Sequence, residues 1–222
     1  MTNTQLAKRQ ERVRKLILVL SSLFPDAGMA LRYSNHWELL VAVILSSQCT
    51  DIMVNKVTDT LFQKYKTFDD YICADALEFE QDIKSTGFYK NKAKYILSSA
   101  KIIKKNFGGN IPRTLDELLT LPGVARKTAN VVLGNAYGVI EGIAVDTHVR
   151  RFAIKFDITD SSDPKKIEQD LMQVVPKQYW FTITYWLIEY GRAICPARKH
   201  DCATHPLTAI YPQAGRIWPK AH

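Results

Sequence analysis

Long apolar runs are missing from this 222-residue chain. The early run LILVLSSLF follows the charged start MTNTQLAKRQERVRK and is short and amphipathic, and residues 39–45 fall equally short of the roughly 20 apolar residues that span a bilayer. A secretory leader and a membrane anchor are therefore not expected, and the chain reads as a soluble protein of the cell interior. Cysteine is scarce, with four in all. Cys49 and Cys73 stand alone and read as small buried apolar residues, so a disulfide framework is not expected. Ten glycines and nine prolines are too few for a low-complexity or collagen-like chain. Neither strand-like alternation nor an internal repeat is found. With 46% hydrophobic residues, the chain is long enough to bury one large core or two small ones.

What is present is helical periodicity. Residues 5–23 form an amphipathic segment closed by Phe24, Pro25, Asp26 and Gly28, and 37–46 is an almost wholly apolar helix. A third helix, capped by Thr50 or Asp51, runs to about 66, and short helices follow near 68–74 and 77–84. Tyr89, Ala93, Ile96, Leu97, Ala100 and Ile103 keep one face of a helix that stops at Gly108 and Gly109. Two further helices are predicted at 163–174 and 179–194. The fold class is all-α.

Charge is unevenly placed. Between residues 84 and 127 ten Lys or Arg (84, 90, 92, 94, 101, 104, 105, 113, 126 and 127) face two acids, Asp116 and Glu117. That excess of eight equals the formal net charge of the whole chain, +8. Such a basic region is the electrostatic footprint of a polyanion partner, although Lys101, Lys104 and Lys105 also fit a solvated helix face.

The basic region ends in the stretch around which the chain is organised. Leu115, Leu118 and Leu119 form one apolar helix face, Leu121, Pro122, Gly123 and Val124 make a tight apolar hairpin, and Ala129, Val132, Leu133 and Ala136 mark a second helix. This helix-hairpin-helix covers about 114–138. The second helix directs unpaired N–H groups and the positive end of its dipole outward, a site suited to a phosphate. Arg126 and Lys127 add cations where helix stability does not call for them. From Lys127 the helix rises roughly 15 Å to Ala136. The link 137–145 can reach back about 30 Å, so Asp146, opening the next helix, can meet Lys127. Taken singly, the lysine reads as a phosphate contact and the aspartate as an N-cap worth about 1 kcal/mol.

LPGVARKTANVVL followed by VDTH, with LSSQCTD and GFYKNKA upstream, resembles the endonuclease III branch of the helix-hairpin-helix DNA glycosylases over residues 37–202. The resemblance implies two helical lobes: a six-helix barrel at 29–140 carrying the hairpin, and a second lobe from 1–28 and 141–222, with the active site between them. It implies base-excision repair of double-stranded DNA, in which Lys127 displaces a damaged base, an oxidised pyrimidine, through a Schiff base. Asp146 assists, and beta-elimination then cuts the abasic site. A lysine must attack as the neutral amine. The DNA contact falls on Gln48, Phe88, Leu121, Gly123, Val124, Ala125 and Arg126. Gln48 fills the hole left by the flipped base, and Phe88 stands where the family has an aliphatic wedge. The protein is expected to be a cytoplasmic monomer, nucleoid-associated if bacterial.

One departure is large. The family's four cluster cysteines fall on Cys195, Cys202, His205 and Tyr211 in the degenerate loop 195–211. Two of four thiolates are absent, so no [4Fe-4S] cluster and no other cofactor is expected. Cys195, His200, Cys202 and His205 could form a small zinc site, though their spacing is unlike paired-cysteine patterns. Otherwise Tyr211 and Trp218 would hold the loop by packing, with Arg198, Lys199 and Lys220 reaching DNA. Two rivals stay open: a superfamily glycosylase of other base specificity, and a non-catalytic helix-hairpin-helix module.

Overall fold

The computed structural model describes residues 2–216, so Trp218 and Lys220 lie outside the described residues. Among the described residues the secondary structure is helical with no strand, and no helix is long and apolar enough to cross a membrane. The chain divides into two compact units, residues 29–141 and a unit joining residues up to 28 with those from 142 onward.

In the continuous unit, the sequence HWELLVAVIL becomes α2 (His36–Leu45), after α1 (Asn3–Leu23) of the other unit. Eight of its ten residues are buried, and a helix apolar on every side must be surrounded. Around it pack α3 (Asp51–Lys64), α6 (Tyr89–Phe107) and α8 (Arg126–Tyr137). The short α4 (Phe68–Cys73) and α5 (Ala76–Asp82) rest on α6, and α7 (Leu115–Leu119) rests on α8. Tyr71 meets Trp37 edge-on at 5.1 Å and Phe79 at 5.9 Å, closing one end of this core. Cys73 is exposed at the end of α4, contrary to the expectation of a buried cysteine; its helix presents Tyr71 to the core instead.

The second unit is built from both chain ends. Val13, Leu16, Ile17 and Leu20 of α1 form a buried stripe at helical spacing. That stripe packs on α10 (Pro164–Val174) and α11 (Thr182–Ala193), and α9 (Thr147–Lys155) completes the group. Periodicity predicts the last helix from 179, but Pro176 breaks the chain and a 3-10 turn, Lys177–Tyr179, delays it to Thr182. Two arginines fasten α1. Buried Arg9 donates to Asp157 at 2.9 Å and Asp160 at 2.6 Å, and Arg12 donates to the carbonyls of Phe156 at 2.8 Å and Asp157 at 2.6 Å. These contacts hold the turn where Asp157 takes a left-handed φ of 48° and ends α9.

Candidate functional site

Among the described residues, eight of the eleven α-helices are capped by a Thr, Asn or Asp side chain that accepts an N–H of the first turn. The exceptions are α6, α8 and α11, whose N-cap residues are Phe88, Ala125 and Phe181. In α6 and α8, as in α11, the first turn also carries no acid. Their N–H groups and dipole ends are therefore left for an outside acceptor, at two places the sequence had singled out.

At α8 the hairpin is held by its own backbone. Leu121 N donates to Leu118 O at 3.1 Å and Val124 N to Leu121 O at 3.2 Å. The side chains of Leu121 and Val124 are buried in the core, so what they can offer a nucleic acid is main chain. Gly123 has φ 76°, and a Cβ there would stand 2.5 Å from Tyr95 Cδ2 on α6. Glycine is thus demanded twice, by the turn and by the neighbouring ring. Ala125 and Lys127 are exposed, and Arg126 is half-buried.

Gln48 and Phe88 are both exposed, and both have left-handed backbones, φ 52° and 49°. Non-glycine residues in that region carry strain of roughly 1–3 kcal/mol and persist where the surroundings fix them. The fixing group is Lys92, which belongs by position to the basic footprint of residues 84–127. Its Nζ is buried and donates to Leu45 O at 2.8 Å and Thr86 O at 2.7 Å, three residues before Gln48 and two before Phe88. Burial lowers the Lys92 pKa, yet two carbonyls solvate the cation. One side chain thereby ties both loops to α6. Position 92 shares a face with Ile96, Ser99 and Ile103, which was the available signal. The footprint shrinks further, since Lys104 pairs with Asp69 at 3.0 Å and Arg113 lies over the Tyr137 ring.

In the other unit Asp146 caps α9, its Oδ1 accepting from Val149 N at 2.8 Å. Two residues on, burial pushes the His148 imidazole below its ordinary value, with Asp146 opposing and Arg151 adding to the effect. His148 Nδ1 is buried and has no hydrogen-bond partner among the described residues. Gly191 of α11 allows this approach, because a Cβ there would run into His148 Nδ1 and lie 2.8 Å from Arg151 Nη2.

After α11 the chain brings Cys195, His200, Cys202 and His205 together, with donor atoms all within 4.8 Å of one another. Both cysteines are buried, and their sulfurs are 4.0 Å apart. Lys155 donates to Cys202 Sγ at 3.4 Å, and Arg151 donates to Cys195 O at 2.7 Å and reaches its Sγ at 3.8 Å. Burial, then the neighbouring Cys202, pushes the Cys195 thiol up, and the two cations work against that rise. Tyr211, the fourth position of the family's cluster frame, is outside the group, its ring covered by the Arg12 guanidinium at 4.1 Å. The donor set does not fit a [4Fe-4S] cubane. Two cysteines are lacking, and an eight-atom body would force its ligands further apart than these stand.

Comparison with known proteins agrees with this geometry. The sequence model described as "HhH-GPD superfamily base excision DNA repair protein" matches residues 41–177. Endonuclease III of Bacillus subtilis is 48% identical over 192 residues, covering 86% of this chain and 87% of the relative. That of Synechocystis is 45% identical over 210 residues, covering 95% and 96%. A solved non-covalent endonuclease III–DNA complex superposes with a TM-score of 0.88 at 41% identity, over 93% of this chain and 97% of that one. The chain belongs to the HhH-GPD superfamily and, within it, to the endonuclease III family. Its role is that of a DNA glycosylase and abasic-site lyase in base excision repair.

Proposed function

We propose that Lys127 is the nucleophile of this enzyme and that Asp146 assists it, the substrate being an oxidised pyrimidine in double-stranded DNA. The observation that carries this is the position of Lys127: exposed, one residue inside the uncapped N-terminus of the hairpin helix. A phosphate held by the α8 N–H groups sets the strand beside that amine.

The chemistry balances as follows. Neutral Lys127 Nζ gives its electron pair to C1′ of a flipped nucleotide, and the bond to the base breaks, the base leaving with the pair of that C1′–N bond and taking a proton. The sugar ring opens to a Schiff base. Loss of a C2′ proton then forms the C2′=C3′ bond and expels the 3′ phosphate oxygen, which cuts the strand. Water releases the lysine. The Asp146 carboxylate balances the positive charge that develops on the sugar.

Gln48 fills the vacated stack and faces the orphaned base, while Phe88 wedges beside it. An exposed aromatic at 62% accessibility in a left-handed cap suits that work. Arg126 and the main chain from Leu121 through Ala125 contact phosphate. The reaction runs without an iron-sulfur cluster, and its place is the cytoplasm, on the nucleoid in a bacterium.

The test is borohydride trapping on a duplex with one abasic site. Wild type gives a covalent protein–DNA band and Lys127→Ala gives none. Absence of a wild-type band despite salt-sensitive binding would overturn the assignment.

A further inference from the structure

The structure assigns a mononuclear zinc site to Cys195, His200, Cys202 and His205, in place of the cluster for which this loop no longer has ligands. The argument is geometric. A zinc ion with Zn–S of about 2.3 Å and Zn–N of about 2.05 Å sets tetrahedral edges of about 3.8 Å between sulfurs and about 3.6 Å between sulfur and nitrogen. Cys195 Sγ and Cys202 Sγ are 4.0 Å apart, and Cys202 Sγ is 3.4 Å from His200 Nε2. The remaining donors fall within the same 4.8 Å sphere. A disulfide does not explain the pair, because a sulfur–sulfur bond is about 2.05 Å long and both cysteines are free.

The supporting contacts match what a bound metal requires. His200 Nδ1 stands 2.7 Å from Arg198 O, and a carbonyl can only accept, so the proton is on Nδ1 and the lone pair of Nε2 faces Cys202. The His205 ring stacks on His200 at 5.0 Å, and its Nδ1 is buried with no hydrogen-bond partner among the described residues. A buried ring nitrogen left so is costly, and a metal bonded to that nitrogen removes the cost. Lys155 and Arg151 donate toward the sulfurs, which as metal-bound thiolates keep lone pairs to accept them. Two thiolates and two imidazoles in a closed tetrahedron with no open position define a structural site. Its effect is to pin the chain after α11 and fix the shape of the loop carrying exposed Arg198 and Lys199 between the first two ligands.

The experiment uses the full chain. Metal content is measured after gel filtration, and metal-free protein is titrated with cobalt(II) while the visible spectrum is recorded. One zinc per chain is expected, together with the intense d–d bands of tetrahedral cobalt with thiolate ligands, erased by added zinc. Cys202→Ser and His205→Ala should lose stoichiometric metal while Tyr211→Phe keeps it, with helix content followed by circular dichroism. If either variant fails to fold, the wild-type cobalt spectrum decides alone. Metal-free wild type that gives only the faint colour of octahedral cobalt would overturn the site. So would four irons with acid-labile sulfide per chain.

Discussion

Lys92→Met removes one buried ammonium and leaves its stem. Two hydrogen bonds disappear, to Leu45 O and Thr86 O, each at less than 3 Å. A hydrogen bond from a charged group contributes roughly 1.5–3 kcal/mol, so the gross loss is about 3–6 kcal/mol. The lysine is also desolvated where it stands, as its lowered pKa records, and removing the charge restores part of that sum. A net loss of about 3 kcal/mol remains, and for a chain of this size each kcal/mol moves the melting temperature by roughly 2–4 °C. Thermal unfolding followed by circular dichroism should show a fall of about 6–12 °C. Lys101→Met, on the exposed face of the same helix, should melt with the parent. Because Lys92 ties down both left-handed loops, excision from lesion-containing duplex should also fall at temperatures where the variant is still folded. A Lys92→Met protein that melts within about 2 °C of the parent would refute the reasoning.

Other expectations follow from the same contacts. Asparagine caps a helix as well as aspartate, so Asp146→Asn should keep stability within about 0.5 kcal/mol while excision drops; full excision would reduce Asp146 to a cap. Gly191→Ala forces a Cβ against His148 and Arg151 and should destabilise by about 1–3 kcal/mol, read from urea midpoints; an unchanged midpoint would mean that α9 and α11 can part without cost. For His148 the folded pKa lies below the ordinary 6.5, so the unfolded chain binds the proton first. Stability therefore rises with pH from that lowered value up to about 6.5 and falls as pH descends through the same window. His148→Gln should flatten the dependence, and equal slopes in both proteins would dismiss it. Phe88→Gly relieves a left-handed φ in an exposed residue, so melting should stay level or rise while excision falls; undiminished excision would remove Phe88 from the wedge.

Most helices were legible because their apolar residues recur at a period of 3.6 and a Thr, Asn or Asp marks most starts. The hairpin was legible through Pro122 and Gly123, although Gly123 is also required by Tyr95, a contact 28 positions away that no local pattern reports. Lys92 was misread because a charge count along the chain ignores which face a residue occupies. Cys195, His200, Cys202 and His205 were legible as a possible zinc group by residue type, but their approach to within 4.8 Å depends on the path of a loop without regular elements, where periodicity carries no information. Cys73 came out exposed because a six-residue helix has only one side to bury.

The clamp on α1 sets an order of events during synthesis. Arg9 leaves the ribosome long before its acceptor Asp157, 148 positions later. At about 5–20 residues per second that is a delay of roughly 7–30 s. Throughout it the stripe of Val13, Leu16, Ile17 and Leu20 has no surface to cover it, while residues 29–141, continuous in sequence, can already close around α2. Helix α1 is thus made well before the surface that places it.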